Sequence, residues 1–384
     1  MQKSSFSLKT GILFSFFFST LPLGNLLLAQ KLQPLRLVDS KATKQTRALF
    51  ANLQKLAKTN ILFGHEDALA YGVHWKDEKG RSDVKDVCGS HPAVFGWELS
   101  KLDKYSHNID TVDFEKLKDW IKEAYQMGGV NTISWHMDNF VTGGDAWDTG
   151  KRVVAELLPG GSRHEAYKAK LDLFVEYVND LKAGGLFKHP IPIIFRPFHE
   201  QTGNWFWWGK KYCSPEEYIA LWHFTVHYLR DEKKLHNLLY AYSPDIFKSK
   251  EEYLKRYPGD AFVDILGLDD YHDVSALGNT KNLTKRLKML VELAEEKGKV
   301  AALTETGRES IPNKKWWTKV LLKSIKAEPK ASQIAYLLVW RNASLAHHFG
   351  PFAGHPSAPD FLEFSKDPMI LFQNQLPDMY HLKH

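Results

Sequence analysis

Past residue 29, short runs of consecutive apolar residues alternate with segments in which apolar positions recur every three to four residues. The first pattern predicts strands buried on both faces, the second helices with one face against a core. Strands are expected at 61–64, 93–97, 130–135, 191–195, 238–242, 263–268, 300–304 and 334–340. Between them, Phe114, Leu117, Trp120, Ile121 and Tyr125 fall at helical spacing. A second helix is expected over 167–181, with Gly184-Gly185 as its C-terminal stop. Ser214-Pro215-Glu216 reads as N-cap, proline at the first helical position and acidic first turn, and a helix over 283–294 ends near Gly298. Strands alternating with helices imply a parallel sheet. Eight such units imply an α/β chain folded as one closed (β/α)8 barrel, a TIM barrel. The rival, an open doubly wound sheet, calls for a glycine-rich phosphate loop after the first strand, and Gly64-His65-Glu66-Asp67 is not one.

A barrel concentrates its chemistry just beyond the C-terminal ends of its strands. Polar and aromatic residues follow seven of the eight runs: His65-Glu66-Asp67, Trp97-Glu98, Trp135-His136-Met137-Asp138, Arg196-Pro197-Phe198-His199-Glu200, Asp269-Asp270-Tyr271-His272, Glu305-Thr306-Gly307-Arg308 and Trp340-Arg341-Asn342. Glu200 and Glu305 stand out because they end non-adjacent strands, whose ends face each other across a barrel mouth. Two carboxyls so placed can cleave a glycosidic bond, one protonating the leaving oxygen while the other attacks the anomeric carbon. A separation of about 5–5.5 Å would imply retention of configuration through a covalent intermediate. An isolated strand-end glutamate is as easily a solvated acid or an ion-pair partner, but two in this context point to a site. Glu200 as the acid needs a raised pKa, for which Phe198, Trp205 and Trp207 offer apolar surroundings. Glu305 must stay ionised, which hydrogen bonds from Arg196 or Tyr271 would favour.

Arg196-Pro197-Phe198-His199-Glu200, followed by Gly203-Asn204-Trp205-Phe206-Trp207-Trp208-Gly209, resembles the acid motif of glycoside hydrolase family 26. Thr304-Glu305-Thr306-Gly307 is similar to its nucleophile motif, and Gly267-Leu268-Asp269-Asp270-Tyr271 to its sixth-strand motif; the likeness runs through essentially the whole chain past residue 29. The resemblance implies a retaining (β/α)8 hydrolase of β-1,4-mannan with Glu200 as acid/base and Glu305 as nucleophile. It also implies that His136, His199, Trp205, Tyr271 and Trp340 surround the sugar at the cleavage point, with Asp269 and Arg341 as further substrate contacts. Trp205 and Trp340 offer faces for sugar stacking, and the tryptophans after Glu200 read mainly as walls of the cleft. A minority of the family cleaves β-1,3-1,4-glucan or xylan, and these substrates stay open, as does a sugar-binding barrel without catalysis. Segment 71–92 is long and polar, resembling extended loops that block one end of the cleft so that mannobiose is released from chain ends.

Composition refines this picture at a few points. With 43% hydrophobic and 25% charged residues a sizeable core is expected, and 12 tryptophans are unusual; core packing explains Trp120, Trp222, Trp316 and Trp317, in helical segments, better than the others, near strand ends or in loops. A net charge of +6, scattered without a basic stripe, argues against nucleic acid and suits a neutral ligand. Lys3 and Lys9 before the apolar stretch 12–28 predict an export signal over 1–29, leaving 30–384 as a periplasmic or secreted catalytic domain without membrane attachment, expected to be a monomer. The two cysteines, Cys88 and Cys213, read more simply as buried thiols than as a bridge. No metal or cofactor is expected: a metal-dependent barrel hydrolase typically carries His-x-His on its first strand, where this chain has His65-Glu66.

Overall fold

A computed structural model describes residues 35–275 and 279–382, together with residues 1 and 4; the expected export signal lies outside the described residues. All eight predicted strands form: β1 (Ile61–Glu66), β2 (Val94–Glu98), β3 (Val130–Ser134), β4 (Ile193–Arg196), β5 (Leu238–Tyr242), β6 (Ile265–Asp270), β7 (Val300–Thr306) and β8 (Tyr336–Val339). They pair in parallel in chain order, and β8 returns to β1 with Leu62 opposite Tyr336, closing the barrel. A short strand, Ile370–Leu371, adds to the start of β1. Helices occupy the outer ring, among them Phe114–Gln126, His164–Asp180, Pro215–His227 and Thr280–Lys297.

Alternation along the strands explains why both faces are apolar. Phe63, Phe95, Ile133, Phe195 and Leu337 face the helices in the larger core cluster. Leu62, Val94, Val130, Ile194, Leu239, Ile265, Val300 and Leu338 share the smaller cluster, which Leu49, Phe50 and Leu53 of the helix Lys44–Leu56 join. The strand residues of this smaller set lie on the barrel's inner face, and toward the C-terminal ends the inner face becomes polar: Glu66, Glu98, Thr132, Ser134, Arg196, Ser243, Asp269 and Thr304 are all buried. Burial of this kind requires mutual hydrogen bonding or protonation.

The capping expectation at Ser214 holds. Its hydroxyl accepts from Glu217 N while Glu217 bonds back to Ser214 N. Gly298 closes its helix at φ 67°. Gly184-Gly185 does not end the helix His164–Asp180, which is capped by Leu181. Gly184 instead belongs to the connection between two short strands, Lys182–Ala183 and His189–Pro190. Both cysteines are free, with Cys213 buried against Arg256 and Cys88 half-buried.

Candidate active site

The segment after β4 turns sharply: Phe198 and Glu200 both have positive φ, 49° and 54°. Three hydrogen bonds hold it there. Tyr218 OH donates to Phe198 O (3.0 Å), Trp208 Nε1 to His199 O (2.7 Å), and Glu200 N to Ser243 O at the end of β5 (2.7 Å). Backbone strain of this kind is characteristic of positions where a side chain must be aimed. Trp205 then folds back so that its Nε1 donates to Glu200 Oε2 at 2.6 Å. Gly203 makes this possible, because a Cβ there would lie 2.5 Å from the Trp205 ring.

Glu305 is aimed by an irregularity in the sheet. Leu268 pairs with Leu303, but Asp269 pairs with Glu305, so Thr304 is an extra residue between them. A bulge of this type redirects the following side chain. Glu305 Oε2 accepts from Tyr271 OH (2.8 Å), and Oε1 forms an ion pair with Arg196. Arg196 also donates to Asp269 Oδ2 (2.9 Å) and Ser243 Oγ (3.3 Å), while Thr304 Oγ1 donates to Asp269 Oδ1 (2.6 Å). Both partners anticipated for Glu305 therefore contact it.

The two glutamates line one cavity of about 380 Å³, shared by His136, His199, Trp205, Tyr271 and Trp340. Arg196 and Asp269 do not line it. Asp269 is fully buried behind Arg196, so its expected place among the substrate contacts is corrected: it is the counter-ion that fixes Arg196. Arg341 stands outside the cavity wall, paired with Asp110 at 3.0 Å. The tryptophans divide. Trp205 is 40% exposed, whereas Trp207 and Trp208 are 0% exposed and donate to backbone carbonyls, so of these three only Trp205 can stack on a ligand. Phe198 is likewise fully buried. Trp147, stacked on His136 at 5.1 Å, and Phe206 and Phe349 complete the aromatic wall. Sequence reasoning passed over all three; Trp147 was detectable as an aromatic in the loop leaving β3 on the active face.

Protonation follows from this arrangement. Glu200 is pushed well above the carboxylate range, first by removal from water and then by the negative charges of Glu305, Asp269 and Asp245; the Trp205 hydrogen bond opposes the shift. Desolvation, the effect expected of an apolar surround, is thus the leading cause, and the neighbouring carboxyls add to it. Burial and the adjacent Glu305 keep the Tyr271 phenol protonated, hence a donor. Burial would deprotonate His136, but the Glu98 carboxylate at 2.7 Å outweighs it and raises the imidazole pKa. His199 moves the other way, lowered by burial and by the charges of Arg196 and His136. His136 therefore donates to His199 Nε2 across 3.1 Å, leaving the His199 proton on Nδ1.

Asp67, just past β1, gives a prediction about stability. Its carboxyl is raised to about 8 by burial and by Asp110, although Tyr71 OH donates to it at 2.7 Å. The folded pKa exceeds the unfolded value of about 3.9, so this group's contribution is fully present below pH ~3.9 and is lost as pH rises toward 8. Asn keeps a carbonyl acceptor and tolerates the φ of 53° at this position. Asp67→Asn is expected to melt about 2–5 °C above the parent at pH 8, with the advantage shrinking toward pH 4.5. A difference independent of pH would contradict the protonation argument.

Two glutamates lining one aromatic cavity at the C-terminal mouth of a (β/α)8 barrel are the arrangement expected of a glycoside hydrolase. The profile of glycosyl hydrolase family 26 matches residues 38–332, and the chain belongs to that family. A mannan endo-1,4-beta-mannosidase from Bifidobacterium adolescentis is 40% identical over 285 residues, which is 70% of this chain and 28% of that protein's own length. The structure of a family 26 β-mannanase from Bacteroides ovatus is 42% identical, covers 89% of this chain and 98% of its own, and superimposes with a TM-score of 0.84. A modular endo-β-1,4-mannanase from Cellulomonas fimi is 40% identical over 90% of this chain and 79% of its own, with a TM-score of 0.83.

Proposed function

We propose that this chain hydrolyses β-1,4-mannan by double displacement, with Glu305 attacking the anomeric carbon and Glu200 first protonating the leaving oxygen and then deprotonating water. The observation that carries the reading is the unequal environment of two carboxyls in one cavity: Glu305 is held by Arg196 and Tyr271, while Glu200 meets Trp205 alone and is driven toward the protonated form. That asymmetry supports Glu305 as nucleophile and Glu200 as acid. The relatives' names favour mannan as the substrate. The test is hydrolysis of linear mannan, galactomannan, glucomannan, mixed-linkage glucan and xylan, with the first-formed anomer read by NMR. Mannan cleaved to β-configured products is expected; α-configured first products, or preference for glucan or xylan, would overturn the reading.

We further propose that segment 71–92 closes one end of the cleft and biases products toward mannobiose. The segment is ordered, with a hairpin pairing Tyr71–Gly72 to Trp75–Lys76 and a helix, Asp83–Cys88. Asp83 accepts from Val73 N (2.9 Å), Trp75 Nε1 (2.6 Å) and Asn342 Nδ2 (2.8 Å), tying the segment to the chain beyond β8, beside Arg341. Shortening it is expected to shift products from dimers to mixed oligosaccharides, and an unchanged profile would sink the idea. Export through residues 1–29 to the periplasm or medium, as a monomer, completes the proposal; it rests on the Lys3 and Lys9 start and the apolar stretch 12–28.

A further inference from the structure

The turn immediately after the proposed nucleophile is strained beyond what chain reversal needs. Gly307, Ser310 and Ile311 have φ of 146°, 56° and 36°. A β-branched residue in this region is a genuine outlier, and such strain persists only where the surroundings enforce it. Here the enforcement is visible. Ile311 is buried, Ser310 N donates to His348 O (2.9 Å), and Ser310 Oγ donates to Ala346 O (2.9 Å). A Cβ on Gly307 would meet Phe349 at 2.8 Å, so glycine is needed for the approach of the two loops. The result is that Arg308 and Glu309 are presented to the cavity that holds Glu200 and Glu305.

The two side chains differ in how they are engaged. Glu309 bonds His347 Nδ1 at 2.7 Å. Arg308 is half-buried and forms no ion pair or hydrogen bond with a described side chain. A guanidinium has five donors in a fixed fork, and on this wall no described side chain accepts from them. The cavity's other ionisable groups are three carboxyls, Glu200, Glu305 and Glu309, and two histidines, so it offers an anionic ligand no concentrated positive charge. Neighbouring hydroxyls on a sugar ring are neutral acceptors that suit the fork.

We infer that Arg308 is a specificity-determining residue that donates to hydroxyls of a neutral sugar unit lying over the turn, adding recognition to the cleavage chemistry beneath it. The inference rests on the proposed glycosidase reading. Arg308 acts on ground state and transition state alike, so its loss raises KM and leaves kcat and the pH profile unchanged.

The experiment compares the parent with Arg308→Ala and Arg308→Lys on mannohexaose, with thermal melts to verify folding. Hydrolysis by the parent enzyme tests the underlying reading separately. A charge-assisted hydrogen bond predicts that Arg308→Ala raises KM about tenfold, with kcat within about twofold. Arg308→Lys, which keeps charge without the fork, is expected between the two, and its KM should change little between low and high salt. A KM unchanged in both variants would overturn the inference. So would a fall in kcat with a displaced pH profile, which would place Arg308 in the catalytic charge cluster. A strong salt dependence of KM in the parent would also overturn it, because recognition would then be of charge.

Discussion

Replacing Glu305 with alanine is expected to lower mannan turnover by a factor on the order of 10⁴–10⁶, the range seen when a nucleophile or its activating partner is deleted. Glu200→Ala is expected to cost about 10²–10⁴-fold, and its loss should depend on the leaving group. An aryl mannoside whose leaving group departs without a proton would restore the first step. The second step would stay slow because no base activates water, so a burst of aryl release should precede a slow steady state. Glu305→Ala should show no burst with either substrate. The burst decides between the roles: a first step slowed in Glu200→Ala as much on the aryl substrate as on mannan, with no burst of aryl release, would remove the acid assignment. The pH profile adds a second reading. Glu200 must hold its proton in the first step, and burial with the charge of Glu305 raises its pKa well above the usual range. Activity should therefore persist above pH ~4.3, the ordinary glutamate value, and fall only as the raised pKa is passed.

Much of this site was legible because strand ends in a barrel are also the ends of apolar runs. Each predicted strand lies within about two residues of an observed one, and the residue types that follow β3, β4, β6, β7 and β8 marked the cavity correctly. What the pattern could not convey is which way a side chain points once the run has ended. Trp205, Trp207 and Trp208 look alike in sequence, yet the turn through Phe198 and Glu200 sends two of them into the core to hold backbone carbonyls. Asp269 and Tyr271 are two residues apart, and both are expected to reach the substrate. The first faces the barrel interior and the second the cavity, and the bulge at Thr304 that aligns Asp269 with Glu305 has no signature in the sequence. Trp147 escaped because a lone aromatic in a long loop carries no periodicity.

Arg196 is the residue whose loss should damage both the fold and the chemistry. Its guanidinium is shared by two buried carboxylates, Asp269 and Glu305, and the buried Glu66 carboxyl beside them is already raised well above its usual range by burial and neighbouring acids. Asp269 is raised too, chiefly by burial, even with Arg196 present. Arg196→Met would strand these acids without a counter-charge, at a cost of about 3–5 kcal/mol. The folded pKa values of Asp269 and Glu66 would rise further, and because a raised carboxyl loses its stabilising contribution as pH increases, the deficit should be larger at pH 8 than at pH 5. Denaturant melts at the two pH values measure this; a deficit that is equal, or larger at pH 5, would contradict it. Adding Asp269→Asn to Arg196→Met removes one stranded charge and should recover part of the stability. It should not recover activity, since Glu305 would still lack the ion pair that orients it, and misplacement of about 1 Å can cost 10²-fold. Arg196→Lys is expected to behave as a damaged enzyme as well: one ammonium cannot reproduce the fork that reaches Asp269, Ser243 and Glu305 together.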